Sequence, residues 1–513
     1  QATVARAQHL KLARAFSAEH MLQFCRKRSN SRQAAPGQNA PAWSAFGEKF
    51  TRHSGIAMLM EDLEEGLKMG ALMMGGGNPA QIPSVKAEIQ DLIAAAACKS
   101  SPHASDLVEA LSNYDGPRGK VKFVEAFAAF LRSELGWDVT SENLAITNGS
   151  QGSFFYLFNL FCGAPPSSKK GPKKRVLLPV CPEYLGYADV GLNDDLFISA
   201  QPKIEVNEEE RTFKYRLDLQ AVQNILKRAN GAKGIGLICV SRPTNPTGNV
   251  ITDDEVRDLQ ALAKEHNIPL VIDGAYGLPF PKILFAEDVS MPHWSDGSGL
   301  IFCFSLSKLG FPGARTGVVV APKPIAKALV NLNGVLSLAP GSVGPLVTLP
   351  LLTDPGRMNR LCDESIRPFY RRRAELAKNT LLKELEHEPR VICHRPEGCI
   401  FLWLWCRDLP VDSQEMYRRL KSKLVLVIPG HFFFPGLADA DSWKHTKECL
   451  RISYAGIRED EKLIQGLQTI AATVLAAYQE GRRGDKRPCP LDVQEPVHMV
   501  SKVPRTVCSA KAA

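Results

Sequence analysis

A lysine, Lys308, stands between an apolar run and a loop rich in glycine and proline, in the segment SLSKLGFPGARTG. The run before it, GLIFCF, predicts a buried strand, and Arg315 follows seven residues after the lysine. A lysine beside an arginine and away from bulk water has a depressed pKa, which makes its amine a usable nucleophile. A lysine in a loop is more often a solvated surface residue, so this segment alone leaves both interpretations open.

Two further segments offer an anion site and a buried acid. TNGSQG leads into an apolar helix, so the backbone N–H groups of Ser150 and Gln151 can bind a phosphate or simply cap the helix. Asp273 ends the strand-like run LVID, where it can be a metal ligand, a base or the partner of a protonated ring nitrogen. No second carboxylate is near in sequence, which disfavours a metal. Pyridoxal 5′-phosphate needs a site that anchors its phosphate, an acid that keeps its pyridine nitrogen protonated and an amine that forms a Schiff base with it. Because these three segments offer all three groups, we predict this cofactor.

The elements that must position these residues alternate between strand and helix. GIGLICV and IPLVID are continuous apolar runs of the kind that a parallel sheet buries on both faces. Between them, ITDDEVRDLQALAKEH has a capping box at Thr252 and Glu255 and an apolar stripe, which predict a helix. Because strand ends of such an α/β sheet meet at one crevice, TNGSQG, SRPTNPTG, DGAYG and SLSK are expected to converge there.

The charge and the cysteines exclude several classes of partner. The net charge of +9 resides in the ends, since residues 1–47 have a balance of +6 and residues 480–513 a balance of +3. The neutral centre argues against a nucleic-acid-binding face. The thirteen cysteines show no metal-ligand spacing and favour a reducing compartment with no metal site. The uncharged stretch 328–353 contains too many prolines and glycines for a membrane span, and we expect buried turns and loops there.

Length and composition predict five segments. Residues 1–47 are expected to be a disordered or targeting extension, since they are rich in arginine and poor in acids. The compartment is then the cytoplasm, or a mitochondrion or plastid if this extension is a transit peptide. The other segments are the N-terminal part of a small domain (48–105), a large cofactor-binding domain (106–355), a C-terminal small domain (356–480) and a disordered tail (481–513).

The order and spacing of NPTG, DGAYG and SLSKLGFPGARTG resemble those of the fold-type I PLP-dependent aminotransferases. The similarity runs from about Phe46 to about residue 478. Segments such as NYDGPRGK, PEYLGYAD, RPEGCIFLWLW and IPGHFFFPGL are similar to the branch that acts on valine and pyruvate. The resemblance implies an α/β fold, with a mainly parallel mixed sheet between helices in the large domain and a smaller α+β domain.

The resemblance also implies a role for each candidate residue. Lys308 would bind the cofactor covalently and move a proton between substrate and cofactor, and Asp273 would hold the proton on the pyridine nitrogen. The other cofactor contacts it implies are Ser150, Gln151, Tyr184, Asn245, Tyr276, Ser305, Arg315 and, from the partner subunit, Tyr114. The substrate contacts it implies are Arg451, Gly77 and Asn245.

The activity that the resemblance implies is a ping-pong transamination in a homodimer. The amino group would move between L-valine or L-alanine and a 2-oxo acid, pyruvate or 3-methyl-2-oxobutanoate. A second possibility is another fold-type I PLP enzyme, either a different aminotransferase or a β-lyase, because the pocket chooses which bond breaks. A third is a PLP-binding module of a transcriptional regulator. That module needs a helix-turn-helix unit of about 60 to 70 residues before the core, and residues 1–47 are too short for it.

Overall fold

The structure is a computed structural model that describes residues 42–51, 55–98, 104–166, 170–438 and 440–484. Residues 1–41 of the predicted extension and 485–513 of the predicted tail lie outside these ranges. The strands are β1 (Leu72–Met73), β2 (Leu144–Asn148), β3 (Arg175–Leu178), β4 (Phe197–Ser199), β5 (Lys203–Asn207), β6 (Thr212–Arg216), β7 (Ile235–Ser241), β8 (Leu270–Asp273), β9 (Leu300–Ser305), β10 (Thr316–Val320), β11 (Val391–His394), β12 (Phe401–Cys406), β13 (Val425–Leu426), β14 (Ile428–Pro429) and β15 (Cys449–Ser453).

The α-helices are α1 (Ala45–Thr51), α2 (Gly55–Lys68), α3 (Pro83–Ala97), α4 (Ala104–Ser112), α5 (Val121–Leu135), α6 (Ser150–Phe161), α7 (Leu219–Arg228), α8 (Asp253–Glu265), α9 (Lys323–Ser337), α10 (Val343–Thr353), α11 (Arg357–Arg360), α12 (Arg367–Glu384), α13 (Ser413–Ser422), α14 (His445–Glu448) and α15 (Asp460–Gly484). A π-helical turn, Leu361–Ile366, joins α11 to α12. No helix of the described ranges is long and apolar enough to cross a membrane.

The central sheet has the strand order β2-β10-β9-β8-β7-β3-β4. Its strands are parallel except for β10, which runs antiparallel to both of its neighbours. Successive residues of a strand enter different cores: Val318 and Val320 of β10 join one apolar cluster, whereas Val319 joins the other. Burial on both faces explains why these strands are continuous apolar runs in the sequence.

The predicted strand–helix–strand unit is confirmed. Helix α8 begins after Thr252, whose hydroxyl accepts from the Glu255 N–H at 3.2 Å, while the Glu255 carboxylate accepts from the Thr252 N–H at 2.7 Å. The flanking strands β7 and β8 are parallel neighbours, with Ser241 opposite Asp273. The carboxyl ends of the two strands therefore place these residues at the same edge of the sheet.

A second sheet has the order β14-β15-β12-β11-β6-β5. Its hairpin β5–β6 comes from the predicted large domain, yet β6 pairs in parallel with β11 of the predicted C-terminal domain. Strand β1 pairs with β13, which links the segment 48–105 to the same C-terminal region. The proposed division into domains stays a prediction.

The expectation of turns and loops in the uncharged stretch 328–353 is wrong. Most of this stretch lies in α9 and α10. Pro345 occupies the first turn of α10, where a backbone N–H would have no helical acceptor, although Pro350 lies in the interior of the helix. Helix α10 packs against α3 and α5 and buries Leu346, Leu349 and Leu351. The absence of charge therefore reflects burial of a helix.

Candidate active site

A cavity of about 360 Å³ lies at the carboxyl ends of β7, β8 and β9 and reaches β15 of the second sheet. Eleven of the twelve predicted site residues line it: Gly77, Ser150, Gln151, Tyr184, Asn245, Asp273, Tyr276, Ser305, Lys308, Arg315 and Arg451. The sheet edge thus brings together residues that are up to 374 positions apart, from Gly77 to Arg451. Their individual roles stay predictions.

Lys308 presents its amine to this cavity. The Nζ donates to the carbonyl of Gly77 at 2.5 Å and lies 5.6 Å from the centre of the Tyr276 ring. The pKa of Lys308 is lowered to about 8, chiefly by the loss of hydration on burial and in part by the nearby Arg451 cation. About a tenth of the amine is therefore unprotonated at pH 7, far more than at the ordinary pKa of 10.5, and this unprotonated form is the one that acts as a nucleophile or base.

Asp273 ends β8 with both carboxylate oxygens hydrogen-bonded. The Tyr187 hydroxyl donates to Oδ2 at 2.7 Å, and the Ala275 N–H donates to Oδ1 at 3.0 Å. Burial raises the pKa of Asp273 to about 6, while the bond from Tyr187 opposes this rise. Tyr187 was missed from the sequence. Its signal was the spacing of three residues from Tyr184 in PEYLGY, which by itself does not distinguish a core tyrosine from a partner of Asp273.

The opposite end of the cavity contains a helix N-terminus and an arginine. Helix α6 begins at Ser150, and its first N–H groups have no acceptor within the helix. Gly149 before it has φ 80°, and a Cβ there would lie 2.3 Å from Nη2 of Arg315. The glycine therefore admits the guanidinium to the helix end, which concentrates positive potential where a phosphate is expected. Ser305 lies at the same edge, and its hydroxyl accepts from the Ser307 N–H at 3.2 Å.

Arg451, in β15, is a buried cation without a carboxylate partner among the described residues. Its Nη1 donates to Asn245 Oδ1 at 2.8 Å and its Nη2 to the Gly75 carbonyl at 2.7 Å, while Nε has no partner. The guanidinium lies 4.0 Å from the centre of the Phe401 ring. Burial lowers the pKa of Arg451 to about 10, so it is still charged at neutral pH. A buried, unpaired cation of this geometry is suited to a substrate carboxylate.

The two remaining tyrosines of the prediction differ in position. Tyr184 lies in the cavity, where Gly186 allows its close approach, since a Cβ there would lie 2.4 Å from the ring. Burial raises the pKa of Tyr184, so its hydroxyl is neutral. Tyr114 does not line the cavity of its own chain and is 81 % exposed. Its assignment to the partner subunit stays a prediction.

The residues present fit pyridoxal 5′-phosphate. The helix end with Arg315 suits the phosphate, Asp273 suits the ring nitrogen, and Lys308 supplies the amine for covalent attachment. No group of acids, histidines and cysteines in the described part of the chain could hold a metal ion. The donor set therefore matches an organic phosphate cofactor.

The sequence and the fold of this chain are both similar to those of known aminotransferases. The family model for class I and II aminotransferases matches residues 66–467. The valine–pyruvate aminotransferase of Escherichia coli is 47 % identical over 439 residues, which are 85 % of this chain and 99 % of that protein. The crystal structure of a putative amino-acid aminotransferase from Psychrobacter arcticum has a TM-score of 0.80 at 41 % identity and covers 86 % of this chain and 100 % of its own.

A second crystal structure, of valine–pyruvate aminotransferase from Salmonella typhimurium, has a TM-score of 0.72 at 45 % identity. It covers 83 % of this chain and 100 % of its own. The range matched by the family model contains all twelve predicted site residues, from Gly77 to Arg451. The similarity thus includes both sheets and the cavity between them.

Proposed function

The chain belongs to the class I and II aminotransferase family, whose members use pyridoxal 5′-phosphate, and on this premise we propose that it transfers an amino group between L-valine or L-alanine and a 2-oxo acid. The 2-oxo acid is pyruvate or 3-methyl-2-oxobutanoate. The observation that carries the proposal is the buried Arg451, which has no carboxylate partner among the described residues and lines the same cavity as Lys308. The 47 % identity to a valine–pyruvate aminotransferase supports the choice of substrates.

The protein residues act on the substrate from two sides. Arg451 binds the α-carboxylate and orients the amino acid. Asn245 accepts a hydrogen bond from the Arg451 guanidinium and so fixes its orientation. Lys308 takes the proton from the α-carbon and returns it on the cofactor side. When bound, the cofactor supplies an electron sink for the α-carbon, and Asp273 keeps its ring nitrogen protonated.

The lining of the cavity favours a small aliphatic side chain. The cations of the described lining are Lys308, Arg315 and Arg451, and each has a role toward the cofactor or the α-carboxylate. None of them is free for the second carboxylate of glutamate or aspartate. Met60 and Leu63 of α2 add apolar surface at this cavity. Valine and alanine suit such a lining, because their side chains bring no polar group that needs a partner.

The half-reaction with single amino acids tests this proposal. Purified PLP-loaded enzyme mixed with L-valine and no 2-oxo acid is expected to lose its bound-PLP absorbance and release an equimolar amount of 3-methyl-2-oxobutanoate. Pyruvate added afterwards should restore the absorbance. L-alanine should behave like L-valine, whereas L-glutamate should react at least about tenfold less efficiently.

Three outcomes would contradict the substrate assignment. The first is no spectral change with L-valine, with D-valine as the inert control. The second is a preference for glutamate or for an aromatic amino acid, which would indicate a different aminotransferase. The third is release of pyruvate and ammonia from a β-substituted alanine without any acceptor, which would indicate a β-lyase.

We also propose that the enzyme works in a reducing compartment. Eight of the ten cysteines that the structure describes are buried, as cysteines that serve as small apolar core residues are. Whether this compartment is the cytoplasm, a mitochondrion or a plastid depends on the role of residues 1–47.

A homodimer is the proposed assembly, with Tyr114 reaching the partner's cofactor phosphate. Apolar side chains near Tyr114 support it: Val335 is 83 % exposed and Leu338 is 60 % exposed. They lie at the end of α9, which contacts the Tyr114 loop through the 2.9 Å bond from Asn333 to the Pro117 carbonyl. Such a patch indicates a protein interface.

Sedimentation of the enzyme at micromolar concentration is expected to give twice the mass of the chain. Val335→Asp should shift the enzyme toward monomer and lower its activity in parallel, because the charge would be buried at the interface. Val206→Asp, on the edge strand β5, is the matched control and should change neither property. Full activity in a monomer would refute the composite site.

A further inference from the structure

Glu183 is a fully buried carboxyl group directly beside the cavity, in the segment that leads to Tyr184. Its Oε1 accepts from the Ser241 N–H at 2.8 Å. Its Oε2 lies 2.5 Å from the Ser241 hydroxyl and accepts from the Tyr184 N–H at 3.2 Å. The Glu183 side chain thus connects the backbone of Tyr184 with Ser241 at the end of β7.

Both residues that Glu183 holds line the cavity. Tyr184 and Ser241 are part of its wall, and Ser241 is the register partner of Asp273 on the neighbouring strand. The cofactor ring is expected between the Tyr184 side chain and the strand ends that carry Ser241 and Asp273. The Glu183 bonds therefore tie the backbone at Tyr184 to the end of β7 in the wall of the cavity.

The side-chain and backbone groups that contact the Glu183 carboxyl are the hydroxyl and N–H groups of Ser241 and the N–H of Tyr184. Among the described residues no lysine or arginine forms an ion pair with it. The titratable groups that face it are Cys181 of its own segment, Cys239 of β7, Tyr187, and Asp273 of β8. Its own N–H donates to the carbonyl of Phe433, in the C-terminal region, at 2.8 Å.

Two neighbouring buried carboxyl groups do not both ionise easily. Asp273 has the nearby Lys308 cation and is expected to bind a protonated ring nitrogen, so it is the better site for the negative charge. For Glu183, burial raises the pKa to about 8, although its hydrogen bonds from Ser241 oppose the rise. Of the two acids, Glu183 is therefore the one that keeps its proton at neutral pH.

We propose that Glu183 is a positioning residue of this active site, a carboxyl group that keeps its proton and holds Ser241 and Tyr184 around the cofactor ring. With the proton on Oε2, it donates to Ser241 Oγ, and the hydroxyl proton of Ser241 is free to meet an acceptor in the cavity. Asp273 then provides the single negative charge beside the ring nitrogen. The inference rests on PLP binding, which the proposed function shares, and not on the choice of substrate.

The test uses the PLP-loaded enzyme and its apo form, without substrate turnover. Glu183→Gln is uncharged like the protonated acid and nearly isosteric with it. The midpoint of the visible-absorbance pH titration of bound PLP should therefore stay within about 0.3 of the wild-type value, because no charge is lost. The dissociation constant for PLP rebinding to apoenzyme should stay within about threefold.

Glu183→Ala and Ser241→Ala test the connection itself. Glu183→Ala removes all three hydrogen bonds and is expected to weaken PLP rebinding by about tenfold, whereas Ser241→Ala removes only the hydroxyl contact and should weaken it by about threefold. The double variant should be no weaker than Glu183→Ala alone, because the hydroxyl contact is already lost there. Apo-protein thermal midpoints report any general loss of folding, and Ser241→Ala, the milder change, keeps the test valid if Glu183→Ala folds poorly.

Two results would overturn the proposal. In one, Glu183→Gln lowers the titration midpoint by about one pH unit, as the loss of a carboxylate beside a cationic cofactor would. In the other, the two single effects multiply to about thirtyfold in the double variant, which would show that the two residues act independently. A failure of valine to react would leave both readouts unaffected, so the two proposals can fail separately.

Discussion

Lys308→Ala is expected to lower kcat/KM for L-valine and pyruvate by at least about 10⁴-fold, because one residue supplies both the covalent attachment and the proton transfer. The variant should still bind PLP, since Arg315 and the N-terminus of α6 lie at the other end of the cavity. Borohydride reduction should fix the cofactor to the wild-type chain and leave the variant unlabelled.

The same lysine predicts a pH dependence in the wild-type enzyme. Its pKa is lowered from the ordinary 10.5 to about 8, and only the unprotonated amine attacks the cofactor aldehyde. The rate at which apoenzyme captures PLP should therefore rise with pH and level off above about 8. An amine with the ordinary pKa would continue to gain rate up to about 10.5, so a plateau that late would contradict the lowered pKa.

Two controls separate chemistry from structure in the Lys308 experiment. Lys323→Ala removes an exposed lysine at the start of α9 and should change neither activity nor labelling. A small primary amine, such as methylamine, should restore part of the activity of Lys308→Ala by acting as an external base in the space left by the side chain. A variant that keeps wild-type activity without any amine would exclude the assigned role.

The parts of the fold that could be predicted are those whose signal is local. The strands β7, β8 and β9 are short apolar runs buried on both faces, and α8 carries its own capping box. Since strand ends meet at one edge of a sheet, locating these elements was enough to place Asp273 and Lys308 together. The same argument could not set a distance or a partner for either residue.

The parts that could not be predicted depend on contacts between distant segments. Glu183 and Tyr187 read as ordinary residues of a loop until the fold places Ser241 and Asp273 against them. Gly75 enters the site only through its carbonyl, which any residue type possesses. The proline and glycine residues of α10 have a low helix propensity, so the local sequence disfavours a helix there. The helix is stabilised instead by the burial of its apolar side chains against α3 and α5.

Arg451→Lys is expected to lower kcat/KM for L-valine by about 10²- to 10³-fold, which corresponds to about 3 to 4 kcal/mol for a lost buried charge-assisted contact. Lysine keeps the positive charge, so the loss comes from geometry. The planar guanidinium is held by Asn245 and Gly75 and packs at 4.0 Å on the Phe401 ring, whereas a flexible ammonium can reproduce neither contact.

The decisive measurement compares L-valine with 2-methylpropylamine, which is valine without its carboxylate. If Arg451 recognises that carboxylate, the wild-type preference for valine over the amine should collapse in Arg451→Lys, while the slow reaction of the amine itself stays nearly unchanged.

Arg315→Lys is the matched control at the other end of the cavity. It should weaken PLP binding yet keep the preference at saturating PLP, because Arg315 lies against Gly149 at the start of α6 and not beside Asn245. An equal loss on both substrates in Arg451→Lys would mean that the arginine supports the cavity without binding the carboxylate. The position of Arg451 argues for the first result, since a buried cation at the cavity wall without a carboxylate partner among the described residues is costly unless the substrate carboxylate pairs with it.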